Sequence, residues 1–108
     1  MTDVLKGLAE VIHARKQNPE EGSYTCYLFA QGLDKILKKC GEECSEVIIA
    51  AKNGDQAELA NEVCDLLYHL LVLLEQQELP LSEVEEILEE RRRKIGNLKT
   101  FHQTDKES

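Results

Sequence analysis

The chain has 108 residues, enough for one domain and not for two, and a domain of this size buries only part of the surface that its unfolded chain exposes. Its formal charge of -8 argues against general nucleic-acid binding, because a phosphate backbone would meet a repulsive field. Aromatic residues make up 5% of the chain and Pro occurs twice, which favours helices over a β-sandwich or barrel. We therefore expect an all-α protein.

The sequence contains no segment typical of a secreted or membrane protein. The N-terminal segment is interrupted by charges, unlike the apolar stretch of a signal peptide. Residues 66–74, the longest strongly apolar stretch, fall well short of the roughly 20 residues of a membrane span. We expect a cytoplasmic protein with no membrane partner. Its four cysteines have no CxxC spacing and are expected to be reduced packing residues rather than zinc ligands: Cys26, Cys40, Cys44 and Cys64.

The first half of the chain predicts two helices. The first starts near Thr2 or Asp3, carries apolar residues at helical spacing and stops at Asn18-Pro19. The second is long, from Thr25 to Asn53, and Gly32 can break or bend it. Its core candidates are Leu28, Phe29, Leu33, Ile36, Leu37, Val47, Ile48 and Ile49.

The second half predicts two more helices. The turn at residues 53–55, Asn-Gly-Asp, supplies a helix stop followed by a cap, and the third helix runs from about Gln56 to Gln77. Because that turn is short, the second and third helices should lie antiparallel and in contact. Ser82 and Glu85 form a capping box for the fourth helix, which Gly96 closes.

The third helix carries too much apolar surface for one stripe of an exposed helix. Four short helices shield such a rod incompletely, so a bundle of about four helices per chain, completed by a symmetric homodimer, is expected. We predict one domain over residues 1–96, followed by a loose polar tail over residues 97–108.

Two pairs of acidic residues carry the strongest chemical signal. Glu43 and Glu46 lie three apart on one face of the second helix, and Glu62 and Asp65 repeat that spacing on the third. Glu46 and Glu62 are each eight positions from Gly54, so the turn can bring the pairs face to face. The sequence therefore predicts a cluster of four carboxylates.

Such a cluster favours a hard divalent cation. Carboxylates beside apolar residues would raise one another's pKa values if no cation were bound. An oxygen donor set without histidine indicates Mg²⁺, with Mn²⁺ as the alternative, and suits hydrolysis of a phosphoanhydride. The simpler interpretation is a solvated acidic face; a di-iron bundle, which would use Glu-x-x-His pairs, and a non-enzymatic helical adaptor are further alternatives.

The segment Glu42-Glu43-Cys44-Ser45-Glu46, followed by Glu62-Val63-Cys64-Asp65, resembles the EExxE…ExxD signature of the all-α nucleotide pyrophosphohydrolase superfamily, which includes MazG proteins and dimeric dUTPases. Within that superfamily, several segments resemble the phosphoribosyl-ATP pyrophosphatase family. They are residues 23–25 (SYT), 32–36 (GLDKI), 38–43 (KKCGEE), 50–52 (AAK) and 65–70 (DLLYHL).

The resemblance covers about Leu5 to Arg92. It implies hydrolysis of phosphoribosyl-ATP to phosphoribosyl-AMP and pyrophosphate, a step of histidine biosynthesis, by a homodimer with a helical core. The alternative is a house-cleaning nucleoside triphosphate pyrophosphohydrolase, which would use the same carboxylates. The resemblance implies that the metal ligands and catalytic residues are Glu43, Glu46, Glu62 and Asp65, with Glu42 in a supporting role.

Candidate substrate-binding residues lie near these carboxylates. Lys38 and Lys52 could contact phosphate, although i,i+4 pairing of Lys38 with Glu42, and of Lys39 with Glu43, is the simpler interpretation. Ser23, Tyr24 and Thr25 could supply hydroxyl or N–H groups to a phosphate or ribose, or could only cap a helix. For His69 we favour a hydrogen-bonded core role, and for Arg91, Arg92 and Arg93 a solvated helical turn.

Overall fold

The protein is all-α in the computed structural model, which describes residues 2–97. Within that range there are five helices and no strand, and none of the helices is long and apolar enough to span a membrane. The helices are α1 (Thr2–Gln17), α2 (Tyr24–Gln31), α3 (Leu33–Asn53), α4 (Gln56–Gln76) and α5 (Leu81–Asn97). The all-α prediction is confirmed, while residues 98–108 of the predicted tail lie outside the described residues.

The predicted break at Gly32 is confirmed: it divides the predicted second helix, so residues 2–97 contain five helices rather than about four. Gly32 has φ 95° and ψ -176°, a conformation that L side chains rarely adopt. Its N–H donates to the Leu28 oxygen and its own oxygen accepts from Ile36 N–H. One residue thereby ends α2 and begins α3 while turning the chain between them.

Helices α3 and α4 form the hairpin that carries the acidic residues. Gly54 ends α3 in the left-handed conformation, φ 75°, and donates its N–H to the Ala51 oxygen. The side chain of Asp55 then caps α4 by accepting from Glu58 N–H at 3.0 Å. The predicted turn and the antiparallel contact of the two helices are confirmed.

Helix α5 begins differently from the prediction. Its first residue is Leu81, which packs against the core, and Glu83 N–H donates to the Pro80 oxygen at 3.0 Å. Ser82 is therefore inside the helix and the predicted capping box is wrong. Gly96 does not close the helix either, since the helix continues to Asn97.

A small core joins the first four helices. Its buried residues are Ile12, Leu28, Ile36, Cys40, Leu71 and Val72. Three predicted core residues, Leu37, Ile48 and Ile49, are instead 46%, 64% and 56% exposed, because no helix of the same chain covers that face of α3. All four cysteines are free, but the packing role is wrong for Cys44 and Cys64, which are exposed.

Candidate active site

The α3–α4 hairpin brings three of the four predicted ligands together. Glu43 of α3 and both Glu62 and Asp65 of α4 each offer a carboxylate oxygen, and these oxygens lie within 4.8 Å of one another. Glu43 is buried, with 6% of its surface exposed. Glu46 is exposed and lies outside this group, although its side chain interacts with that of Glu62. We call Glu43, Glu62 and Asp65 the acidic cluster.

The acidic cluster contains oxygens that lack partners. Glu43 Oε1 and Glu62 Oε1 are buried and accept no hydrogen bond from the described residues. Loss of hydration raises the pKa of Glu62, and Glu46, Asp65 and Glu43 raise it further. Buried anionic oxygens without partners are costly, and an all-oxygen donor set is the one that Mg²⁺ prefers. The residues present therefore fit a hard divalent cation.

Lys39 is the basic residue beside the acidic cluster. Its Nζ lies 3.3 Å from Glu42 Oε1 and 3.5 Å from Glu43 Oε2. Partial burial lowers the pKa of Lys39, but the hydrogen bond with Glu42 and the nearby negative charge raise it more, so the net shift is upward. The predicted pairing with Glu43 is confirmed, whereas that of Lys38 with Glu42 is wrong because Lys39 occupies Glu42.

The other two predicted phosphate contacts lie outside the acidic cluster. Lys38 and Lys52 are exposed, and neither forms an ion pair within residues 2–97. Lys38 was expected to contact phosphate more readily than Lys39, yet Lys39 is the lysine beside the acidic cluster. Its i,i+4 spacing to Glu43 was the sequence signal for that position.

Helix α2 supplies a set of hydroxyl groups packed on α4. Tyr24 Oη lies 3.0 Å from His69 Nε2, and the Thr25 hydroxyl is hydrogen-bonded to the Tyr68 hydroxyl. Ser23 caps α2 by accepting from Cys26 N–H at 3.2 Å. The capping interpretation is thus confirmed for Ser23, while Tyr24 and Thr25 bridge helices. Sequence spacing did not indicate Tyr68 as their partner.

His69 is buried and hydrogen-bonded, as the sequence analysis favoured. Its Nδ1 lies 2.7 Å from the backbone oxygen of Asp65, one helical turn earlier. Its backbone oxygen accepts from the Cys40 thiol at 3.5 Å. The ring therefore contacts the main chain of Asp65 and not its carboxylate.

The arginine run at the end of α5 is solvated, as expected. Arg92 pairs with Glu89 at 2.6 Å and Arg93 pairs with Glu90 at 2.6 Å, on exposed surface of the same helix. These pairs are local, and they place the arginines among the charges of α5 rather than at the acidic cluster.

A cleft of about 820 Å³ opens beside the start of α2. Its lining includes Tyr24, Tyr27, Phe29, Ser23, Arg15 and Lys16, and none of the acidic cluster. Tyr24 borders this cleft and also bonds to the helix that carries the acidic cluster.

The helical hairpin with its carboxylate cluster marks an all-helical protein, and comparison with known proteins gives its class, a hydrolase of phosphoanhydrides, and its family. Residues 5–92 match the phosphoribosyl-ATP pyrophosphohydrolase family, and the chain belongs to it.

Relatives of known name support the same family. The chain is 54% identical to phosphoribosyl-ATP pyrophosphatase of Clostridium botulinum strain Hall, covering 94% of this chain and 93% of the relative. It is 55% identical to phosphoribosyl-ATP pyrophosphatase of Listeria welshimeri, covering 94% and 98%. It is also 52% identical to the histidine biosynthesis bifunctional protein HisIE of Lactococcus lactis, covering 94% of this chain and 48% of that longer protein.

The predicted family is confirmed by these matches, and so is the predicted function at the level of the family, a phosphoribosyl-ATP pyrophosphatase of histidine biosynthesis. The alternative of a MazG-type nucleoside triphosphate pyrophosphohydrolase is not favoured.

Proposed function

We propose that this chain hydrolyses phosphoribosyl-ATP to phosphoribosyl-AMP and pyrophosphate at a divalent cation held by Glu43, Glu62 and Asp65. The observation that carries the proposal is the pair of buried, unpartnered carboxylate oxygens within the acidic cluster. Mg²⁺ is the proposed ion, with Mn²⁺ as a substitute, since both accept oxygen ligands. Glu46 is the proposed fourth ligand, supported by its interaction with Glu62.

The cation would supply positive charge for the triphosphate and lower the pKa of a water molecule that attacks it. The protein's own residues have complementary roles. Lys39 offsets the charge of the acidic cluster and is placed to contact a phosphate oxygen. Lys38 and Lys52 are exposed cations with side chains available for the outer phosphates. The hydroxyls of Ser23 and Thr25 remain candidates for further substrate contacts.

A homodimer is proposed as the working form. Apolar side chains of α3 and α4 are exposed on a single chain: Leu37, Ile48, Ile49, Val63 and Leu70. A monomer rarely exposes a contiguous apolar patch without a partner for it. A second copy of the chain, placed with two-fold symmetry, would bury this face and extend the bundle.

Conservative variants of the acidic cluster test the site. Glu62→Gln and Asp65→Asn keep the shape of each side chain and remove its charge, so we expect each to lower kcat for pyrophosphate release by at least about 100-fold, as for loss of an electrostatic group in a catalytic site. Glu58→Gln, one turn earlier on α4 and exposed, is the matched control and should remain within about two-fold.

Thermal unfolding of each variant shows whether the fold survives. Full turnover in both cluster variants, with normal melting curves, would refute the site and favour a non-enzymatic adaptor or a different active site. A substrate panel tests the reaction itself: phosphoribosyl-ATP should release pyrophosphate faster than dUTP or the common nucleoside triphosphates. Release from the nucleoside triphosphates alone would contradict the proposed substrate.

A further inference from the structure

The hydrogen-bond chain from Asp65 through His69 to Tyr24 has a defined direction. His69 Nδ1 lies 2.7 Å from the Asp65 backbone oxygen, and a carbonyl oxygen can only accept. In a neutral imidazole, Nδ1 is therefore the protonated nitrogen and Nε2 has only its lone pair. Because Nε2 lies 3.0 Å from Tyr24 Oη, the phenol donates its proton to His69.

This bond uses the one proton that Tyr24 has. Burial raises the pKa of Tyr24 by more than the charge of Lys39 lowers it, so the side chain is a neutral phenol and not a phenolate. Toward any ligand, its oxygen then offers lone pairs alone. An ionised phosphate also presents lone pairs and would be repelled, whereas a hydroxyl group can donate to this oxygen.

Neighbouring rings fix the direction in which the Tyr24 oxygen points. The Tyr24 ring stacks on Tyr27 and Tyr68, with centroids 6.0 Å and 6.2 Å away, and meets the edge of His69 at 5.7 Å. The residue is nevertheless 46% exposed, so a ligand can reach it. The stacking keeps the Tyr24 oxygen in place, and turning the O–H bond away from His69 would break the hydrogen bond and leave Nε2 without a donor.

The position of Tyr24 indicates which part of a nucleotide it meets. Tyr24 is hydrogen-bonded to His69, one helical turn after Asp65 of the acidic cluster, and it also lines the 820 Å³ cleft. A nucleotide whose triphosphate is at the acidic cluster and whose base enters the cleft has its ribose between them, beside Tyr24. The ribose is also the part of the nucleotide that carries hydroxyl donors.

We infer that Tyr24 is a specificity residue that accepts a hydrogen bond from a hydroxyl of the triphosphate-bearing ribose, and that His69 is the positioning residue that holds it as an acceptor. The inference rests on the proposed function, because it takes the triphosphate to lie at the acidic cluster. Of the two contacts considered for Tyr24 from sequence, to a phosphate or to a ribose, it selects the ribose.

A cycle of one enzyme variant and two substrate analogues tests the contact. The substrate is compared with its 2′-deoxy and 3′-deoxy analogues, altered in the triphosphate-bearing ribose, using wild type and Tyr24→Phe. Removal of the contacted hydroxyl should lower kcat/KM of wild type by about three- to ten-fold, the usual effect of one neutral hydrogen bond. The same removal should leave kcat/KM of Tyr24→Phe unchanged.

Tyr27→Phe is the matched control. Within residues 2–97 the Tyr27 hydroxyl makes no hydrogen bond, and its ring stacks on Tyr24 in the same way. This variant should discriminate between the sugars as wild type does. The inference would be overturned if each deoxy analogue lowered kcat/KM by the same factor in wild type and in Tyr24→Phe. It would also be overturned if Tyr24→Phe lowered kcat/KM by the same factor for the substrate and for both analogues.

Variants of His69 test its positioning role. Glutamine places an oxygen acceptor near the site of Nε2, so His69→Gln should retain discrimination between the sugars, while His69→Leu should lose it. Nitrogen-15 NMR of the wild-type protein gives a readout without turnover or variants: in the neutral ring of His69, the proton should be on Nδ1. A proton on Nε2 would overturn the inference.

The two proposals fail in different ways. If wild type releases no pyrophosphate from phosphoribosyl-ATP, the proposed function is wrong. If wild type does release pyrophosphate, but removal of either hydroxyl has the same effect on kcat/KM in wild type and in Tyr24→Phe, only the sugar contact is wrong.

Discussion

Glu62 shows how one side chain links the electrostatics of the site to the stability of the fold. Its pKa is raised in the folded protein, first by loss of hydration and then by Glu46, Asp65 and Glu43. An acid whose pKa is raised by folding binds more protons in the native state than in the unfolded chain. Stability therefore falls as pH rises through the interval between the two pKa values.

Glu62→Gln should accordingly stabilise the protein when no metal is bound. At pH 8 in a chelator we expect its melting temperature to exceed that of wild type, because the variant removes a charge that folding disfavours. The difference should shrink as pH falls through the interval between the raised pKa of Glu62 and its ordinary value of 4.5, where Glu62 of wild type takes up a proton. Differential scanning calorimetry measures the melting temperatures of wild type and Glu62→Gln at each pH.

Addition of Mg²⁺ should reverse the order at pH 8, since wild type gains binding free energy and the variant loses a ligand. A Glu62→Gln protein that melts below wild type in chelator, or a difference that is independent of pH, would contradict this interpretation of Glu62.

Some features of the site could be predicted from the sequence at the level of single residues, and others could not. The spacing of Glu43, Glu62 and Asp65 around a Gly-Asp turn follows from helix geometry, so their convergence could be predicted. The roles of Tyr24 and Tyr68 could not, because they depend on how α2 rests on α4. That contact is between residues more than 40 positions apart, and local periodicity has no information about it.

At the scale of elements, glycine conformations decide where the helices end. Gly54 could be predicted as a helix stop because Asn-Gly-Asp is a strong local signal. Gly32 has no such neighbours, so the sequence indicated a break or bend there but not the positive φ with which it ends α2 and begins α3. Ser82 fails as a cap for a related reason: Leu81 packs on the core as the first residue of α5, two residues before the start that a Ser82 cap would give.

Gly32→Ala should therefore destabilise the protein. A side chain at φ 95° is strained, and we expect a loss of about 1–3 kcal/mol in the free energy of unfolding, although a Cβ there would meet no neighbouring atom. Gly7→Ala, in the middle of α1 with equally open space, is the control and should stabilise by up to about 1 kcal/mol.

Urea denaturation of the two glycine variants gives both values. Equal stabilisation by the two substitutions would mean that the junction of α2 and α3 does not need a positive φ at residue 32, and that one continuous helix is accessible there.

At the scale of the whole molecule, a single chain leaves apolar side chains of α3 and α4 exposed to solvent. Ile48 and Ile49 were expected in the core from their helical spacing, yet 64% and 56% of their surfaces are exposed. Periodicity identifies an apolar face but not which chain covers it. This is why the composition of the core was predicted less well than the helices themselves.

Ile49→Asp should convert the proposed dimer to a monomer. A carboxylate in a buried apolar interface is costly, and we expect the dimer dissociation constant to rise by at least about 100-fold. Val4→Asp is the control, because Val4 is 70% exposed and lies on α1 rather than on α3 or α4. Light scattering with size-exclusion chromatography measures the mass, and a monomeric wild type, or unchanged mass in Ile49→Asp, would contradict the proposed interface.

The most direct test of a shared cation site on α3 and α4 is the magnesium dependence of pyrophosphate release from phosphoribosyl-ATP. After chelation, wild type should release no pyrophosphate above the uncatalysed rate, and added Mg²⁺ should restore release in a saturable way, with phosphoribosyl-AMP as the second product. The same rate with and without chelator would contradict the assignment of the acidic cluster as a catalytic metal site.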